Sequence, residues 1–107
     1  MDIKHMQKEV DEWISQFQEG YWQPSNQMVK LIEEVGELAR EINHYYGQKP
    51  KKISEPSGDI ALELGDILFV IACLANTLNI DLTEAFIRVM EKYKTRDKNR
   101  WTPIKNV

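Results

Sequence analysis

The chain has 107 residues, 42% of them hydrophobic, a net charge of −3 and a single cysteine. That describes one domain, residues 1–107, able to build an apolar core, and it excludes an intrachain disulfide. The acidic balance also speaks against general nucleic-acid binding, which calls for a basic surface.

The spacing predicts four helices in an all-α chain. The first covers residues 2–17: Ile3, Met6, Val10, Trp13, Ile14 and Phe17 recur at steps of three and four, with Gly20 as the stop. A connector, EGYWQPSNQ, follows. The second helix begins at Pro24, a residue suited to a first turn, and runs to Tyr46 with Gly47 as its cap. Its apolar face is Met28, Leu31, Ile32, Val35, Ala39 and Ile42. Gly36 lowers helix propensity there and suggests the close approach of a neighbour. Residues 47–58, GQKPKKISEPSG, read as the longest loop.

The third helix is predicted over residues 59–78. From Ile67 to Ala75 it is apolar on every side, which few positions in a four-helix monomer can enclose. A second copy, in a two-fold homodimer or a dimer of dimers, is therefore expected to cover it. The apolar run of nine residues is far below the ~20 that span a bilayer, so no membrane partner is expected. The N-terminus, MDIKHMQKEVDEW, is polar and patterned, unlike a signal peptide, and Cys73 sits in an apolar run as a reduced core thiol would. Both suggest the cytoplasm. The fourth helix is announced by DLTEAF, with Asp81 as N-cap and Glu84 three residues on.

Acids punctuate the two central helices. Glu34, Glu37 and Glu41 share one stripe of the second; Asp59, Glu63 and Asp66 share one stripe of the third; Glu33 neighbours Glu37 at i+4. Glu63 and Asp66 interrupt a segment otherwise suited to burial. Facing stripes of carboxylates repel unless paired or bridged by a cation. Lys30 and Arg40 are the only nearby bases on the second helix, and the third has none. Oxygen-only ligation selects Mg2+, Mn2+ or Ca2+. Zinc and ferritin-like di-iron sites do not fit, because Cys73 is alone and the chain has a single Glu-x-x-His pair, Glu41 with His44, where a di-iron site draws on two. Solvated helix faces are the plain alternative for the acids, Glu33 to Glu41 above all. Seven of the fourteen basic residues lie between Arg88 and Lys105, giving a basic arm opposite the acidic middle.

EEVGE (residues 33–37), then 25 residues, then ELGD (residues 63–66), with YWQP ahead, LA after GE and ILF after GD, resembles the EExxE…ExxD pattern of the MazG-type nucleoside triphosphate pyrophosphohydrolases in their short single-domain form. The resemblance spans Trp22 to Trp101. It implies an all-α bundle completed by homodimerisation and Mg2+-dependent hydrolysis of an NTP or dNTP to nucleoside monophosphate and pyrophosphate, with Mn2+ as a substitute ion and nucleotide-pool sanitation as a role. Carried over by position, it makes Glu34, Glu37, Glu63 and Asp66 the metal ligands. Glu33 would be an outer ligand or orient water, and Glu33 or Glu37 would take the water's proton. Lys92, Arg96 and Arg100 are its candidate phosphate contacts, and Trp22 and Tyr21, just before the acidic helix, are placed to stack a base or to staple the helix entry. Three alternatives stay open: a non-enzymatic helical dimer that binds nucleotide or protein, a phosphoribosyl-ATP pyrophosphohydrolase-like relative, and a metal-free structural bundle.

Overall fold

The computed structural model describes residues 1–47 and 58–104, and four α-helices account for all regular structure among them: α1 (Ile3–Ile14), α2 (Pro24–Tyr46), α3 (Ile60–Thr77) and α4 (Leu82–Arg96). The chain is all-α, as the helical periodicity predicts. Most of the predicted loop, residues 48–57, lies outside the described residues.

Short polar side chains set the helix starts. The carboxylates of Asp2, Asp59 and Asp81 each accept hydrogen bonds from amides of the following first turn, which otherwise lack partners. Asp59 is therefore a cap, which removes it from the acid stripe assigned to α3. Pro24 occupies the start of α2, where a missing N–H costs nothing. α1 ends at Ile14, three residues before the predicted end; turns follow, and Gly20 reverses the chain with φ +61°. Phe17 thus leaves the helical stripe and stacks edge-on against Trp13, ring centroids 5.0 Å apart.

α2 packs chiefly on α3, α3 also carries α1, and α4 rests on α1. Gln27 bonds Thr77, Glu37 lies beside Glu63, and Gly58 abuts Glu41, so α2 and α3 run antiparallel. Gly58 lies directly against the Glu41 carboxylate, so a side chain there would require that carboxylate to move. Gly36, by contrast, has open space where a Cβ would stand, so close approach is not its role within the protomer.

The core is small. Val10, Ala72 and Cys73 form its centre, with Met6, Ile14 and Tyr21 packed around them. A polar clasp joins α1 to the end of α3: Asn76 accepts from Gln7 Nε2 at 3.0 Å and donates to Gln7 O at 2.9 Å and Tyr21 Oη at 3.0 Å. Gln7 also accepts from the Leu82 amide, which fixes the entry to α4.

The apolar face assigned to α2 does not point into this core. Every buried residue of α2 is polar — Gln27, Glu34 and Glu41, seven apart — while Met28, Ile32, Val35 and Ile42 are exposed. On α3, Leu62, Leu64, Leu68 and Phe69 are exposed too. By length and composition α3 also passes as a membrane span, with mean hydropathy 1.8 over residues 60–77, beyond the nine-residue apolar run alone. It nevertheless carries Glu63 and Asp66 and packs against two helices, as a bundle helix does.

Candidate functional site

The seam between α2 and α3 is polar where the core would ordinarily be greasiest. One face of α2 presents Gln27, Lys30, Glu34, Glu37 and Glu41, at i, i+3, i+7, i+10 and i+14, an uninterrupted polar stripe. Across it stands Glu63 of α3. A carboxylate oxygen from each of Glu34, Glu37 and Glu63 lies within 4.8 Å of the other two.

Of the three, Glu34 is buried, Glu63 half-buried and Glu37 exposed, so the cluster opens from the seam toward solvent. Lys30 reaches down one turn and pairs with Glu34 Oε1 at 3.0 Å; the pairing holds its ammonium above the ordinary lysine range. That one cation does not neutralise the trio. Glu63 Oε2 is wholly shielded from solvent and meets no hydrogen-bond partner among the described residues. Desolvation, then the charges of Glu37, Asp66 and Glu34, push the Glu63 carboxyl above its usual value.

This donor set fits a hard divalent cation. All three donors are carboxylate oxygens, one carries an unused buried lone pair, and carboxylates are the groups Mg2+ and Mn2+ select. Neighbouring oxygens around one Mg2+ stand about 3 Å apart.

The other predicted residues divide. Asp66 is exposed and stands outside the close trio, yet near enough to act on the Glu63 carboxyl. Glu33 is exposed and lines a shallow surface cavity with Trp22, Asn26, Val29 and Lys30. Lys92, Arg96 and Arg100 sit at the end of α4 and just beyond it. Arg96 and Arg100 flank Asp97 at 3.1 and 3.7 Å, and the cations lie against Tyr93 and Trp101. Asp97 is held below the ordinary carboxylate range by Arg96 first of all. α4 packs on α1, not on the acidic seam. His5 binds Asp2 at the start of α1, away from the trio.

Trp22 is 57% exposed, so it is not a core staple. Its carbonyl accepts from Gln27 Nε2, and its side chain borders a cavity at the α1–α2–α3 junction. Gln27 went unnoticed in the sequence because a lone glutamine carries no motif. The signal was its position seven before Glu34, in register with the acids rather than with the apolar face.

Residues 23–101 match the MazG nucleotide pyrophosphohydrolase domain, well over half of the chain. The uncharacterised protein YpjD of Bacillus subtilis is 57% identical over 100 residues, 94% of this chain and 90% of the relative. The crystal structure of Bacillus subtilis YpjD, there designated a candidate pyrophosphatase, superposes with TM-score 0.81 at 54% identity, covering 89% of this chain and 97% of the other. The crystal structure of a Bacillus-conserved MazG protein, described as a nucleotide pyrophosphohydrolase, gives TM-score 0.78 at 54% identity over 92% and 96% of the two chains.

Proposed function

The chain belongs to the MazG nucleotide pyrophosphohydrolase family and is a hydrolase of pyrophosphate bonds, and from that premise we propose that it cleaves nucleoside triphosphates between the α- and β-phosphates in a Mg2+-dependent reaction. Water attacks the α-phosphorus, the bond to the bridging oxygen breaks, and nucleoside monophosphate and pyrophosphate leave. The observation that carries this reading is the convergence of Glu34, Glu37 and Glu63, with a buried Glu63 oxygen lacking a partner.

In this reading Glu34, Glu37 and Glu63 hold the ion, and Asp66, one turn beyond Glu63, completes the set. When bound, a divalent cation neutralises phosphate charge and acidifies water. The remaining work is positioning and proton transfer by the chain's own groups. Glu37, exposed at the mouth of the trio, or Glu33 accepts the proton of the attacking water. Trp22 lies against the base. Mn2+ substitutes for Mg2+, since both favour carboxylate oxygen.

The working unit is a homodimer in this proposal, with residues 1–107 as one domain in each copy. The exposed apolar residues of α2 and α3, Ile32, Val35, Leu64 and Leu68 among them, supply the character that obligate dimer interfaces have. A cytoplasmic role in clearing nucleotides from the pool follows from the activity proposed.

The test is incubation with a panel of NTPs, dNTPs and phosphoribosyl-ATP in Mg2+ and H2 18O, reading monophosphate, pyrophosphate and the position of the label. Label in the monophosphate is expected. Label in pyrophosphate, or no turnover with any member, overturns the proposal.

A further inference from the structure

Lys30 stands one turn before Glu34 on α2, and its ammonium meets Glu34 Oε1 at 3.0 Å. The two ends of this pair are unlike. The Glu34 side chain is 6% exposed, and that of Lys30 is 42% exposed. The carboxylate is held in the seam between α2 and α3, whereas the ammonium reaches it from the rim on a flexible four-carbon stem. Lys30 also borders the shallow surface cavity that it shares with Trp22, Asn26, Val29 and Glu33, so it has open space to turn into. Glu33 and Glu37 are the charges that act on it after Glu34. Of these, Glu33 lines that same cavity, three residues along the helix from Lys30.

Glu34 is therefore claimed twice. It pairs with Lys30, and it supplies one of the three carboxylate oxygens that lie within 4.8 Å of one another. A buried carboxylate without a counter-charge is strongly destabilising, more so than the pair is worth. Lys30 supplies that counter-charge from within the chain. A divalent cation among the three oxygens brings twice the positive charge to the same carboxylate and repels an ammonium a few Å away. Both cannot draw fully on Glu34 at once. The mobile, solvent-reaching partner is the one able to leave.

We propose that Lys30 is a displaceable counter-charge, neutralising Glu34 while no ion is bound, and giving up that carboxylate to a divalent cation by turning toward Glu33. Lys30 is in this sense a positioning residue and not a ligand. It keeps the seam folded and its buried donor in place before an ion arrives, and it weakens ion binding in return. The inference rests on the reading of Glu34, Glu37 and Glu63 as a divalent-cation site, and it is independent of the nucleotide hydrolysed.

The experiment titrates wild type, Lys30→Met and Lys30→Arg with MgCl2 by isothermal calorimetry, and with MnCl2 by electron paramagnetic resonance, with no nucleotide present. Methionine keeps an unbranched apolar stem and removes the charge. Lys30→Met is expected to bind either ion about threefold to tenfold more tightly than wild type, the worth of a half-exposed ion pair. Lys30→Arg keeps the charge and is expected to stay near the wild-type affinity. In EDTA, Lys30→Met is expected to melt below the wild type, and adding Glu34→Gln to restore the midpoint. Unchanged or weaker ion binding by Lys30→Met overturns the proposal, since a merely structural lysine gives that result. Equal tightening in Lys30→Arg overturns it too, because charge is then not the cause. If Lys30→Met does not fold in EDTA, the Lys30→Met, Glu34→Gln double variant is expected to fold; failure of the double variant overturns the proposal. Ion binding by the wild type without tightening in Lys30→Met removes the counter-charge alone and leaves the hydrolase reading standing. Binding of neither ion by any of the three proteins removes the cation site, and this proposal with it.

Discussion

Replacing Glu63 by Gln changes the sign of its effect with metal. The trio sets three carboxylates within 4.8 Å of one another, and Glu63 contributes an oxygen that solvent does not reach. In EDTA the substitution removes one of three repelling charges, so Glu63→Gln is expected to melt above the wild type. In Mg2+ the order reverses. An ion bound only by the native state stabilises it by about 2.7 kcal/mol at a concentration one hundred times its Kd. For a domain of this size each kcal/mol moves the midpoint by about 4 °C, so the wild type gains about 11 °C. A tenfold loss of affinity on removing one of three carboxylates leaves about 1.4 kcal/mol, and the variant gains about half as much. Differential scanning calorimetry of both proteins in EDTA and in Mg2+ reads the crossing. A variant that melts below the wild type in EDTA and keeps the full rise with Mg2+ would refute the idea that these three side chains share an ion.

Asp66→Asn and Glu34→Gln are expected to remain folded by circular dichroism and to lose Mg2+-dependent pyrophosphate release by at least about a hundredfold, as expected when groups that position a phosphoryl centre are removed; unchanged turnover in either takes that residue out of the site. Thr77→Val leaves one Gln27 amide hydrogen buried without an acceptor, at about 1–3 kcal/mol, so the thermal midpoint should fall by about 4–12 °C, read by calorimetry. The Tyr21 phenol is pushed up to about 12 from 10.0, first by burial and then by its bond to Asp11. The folded chain therefore keeps a proton that the unfolded chain loses. The stability from this group is complete below pH 10 and disappears as the pH rises through about 12. Urea melts across that window should show a shallower loss for Tyr21→Phe than for the wild type. Leu68→Glu places a charge on the exposed apolar face of α3. Light scattering at micromolar concentration should give twice the chain mass for the wild type and a single chain for the variant; a wild-type monomer defeats the dimer proposal.

Local chemistry wrote much of this molecule into its sequence. Asp2, Asp59 and Asp81 start helices because a short carboxylate can reach the free amides just ahead of it, and Pro24 starts one because it needs no amide. Such interactions span a few residues and are read from order alone. The EEVGE and ELGD strings are legible for the same reason: helical spacing puts each set of acids on one stripe, whatever surrounds it. Helical periodicity, however, tells which residues share a face and not where that face points. The apolar stripe of α2 was expected inside; in the protomer the polar stripe of Gln27, Glu34 and Glu41 is inside, and Ile32 and Val35 look outward. Only the antiparallel docking of α2 on α3 decided that. The same docking separated Glu63, which meets Glu34 and Glu37, from Asp59, which caps its own helix, and from Asp66, which remains exposed. It also created what no short motif encodes: a buried glutamine amide held by the Trp22 carbonyl and by Thr77, fifty positions away. Contacts between residues fifty positions apart depend on where whole helices come to rest, and that is settled by packing, not by neighbours in sequence.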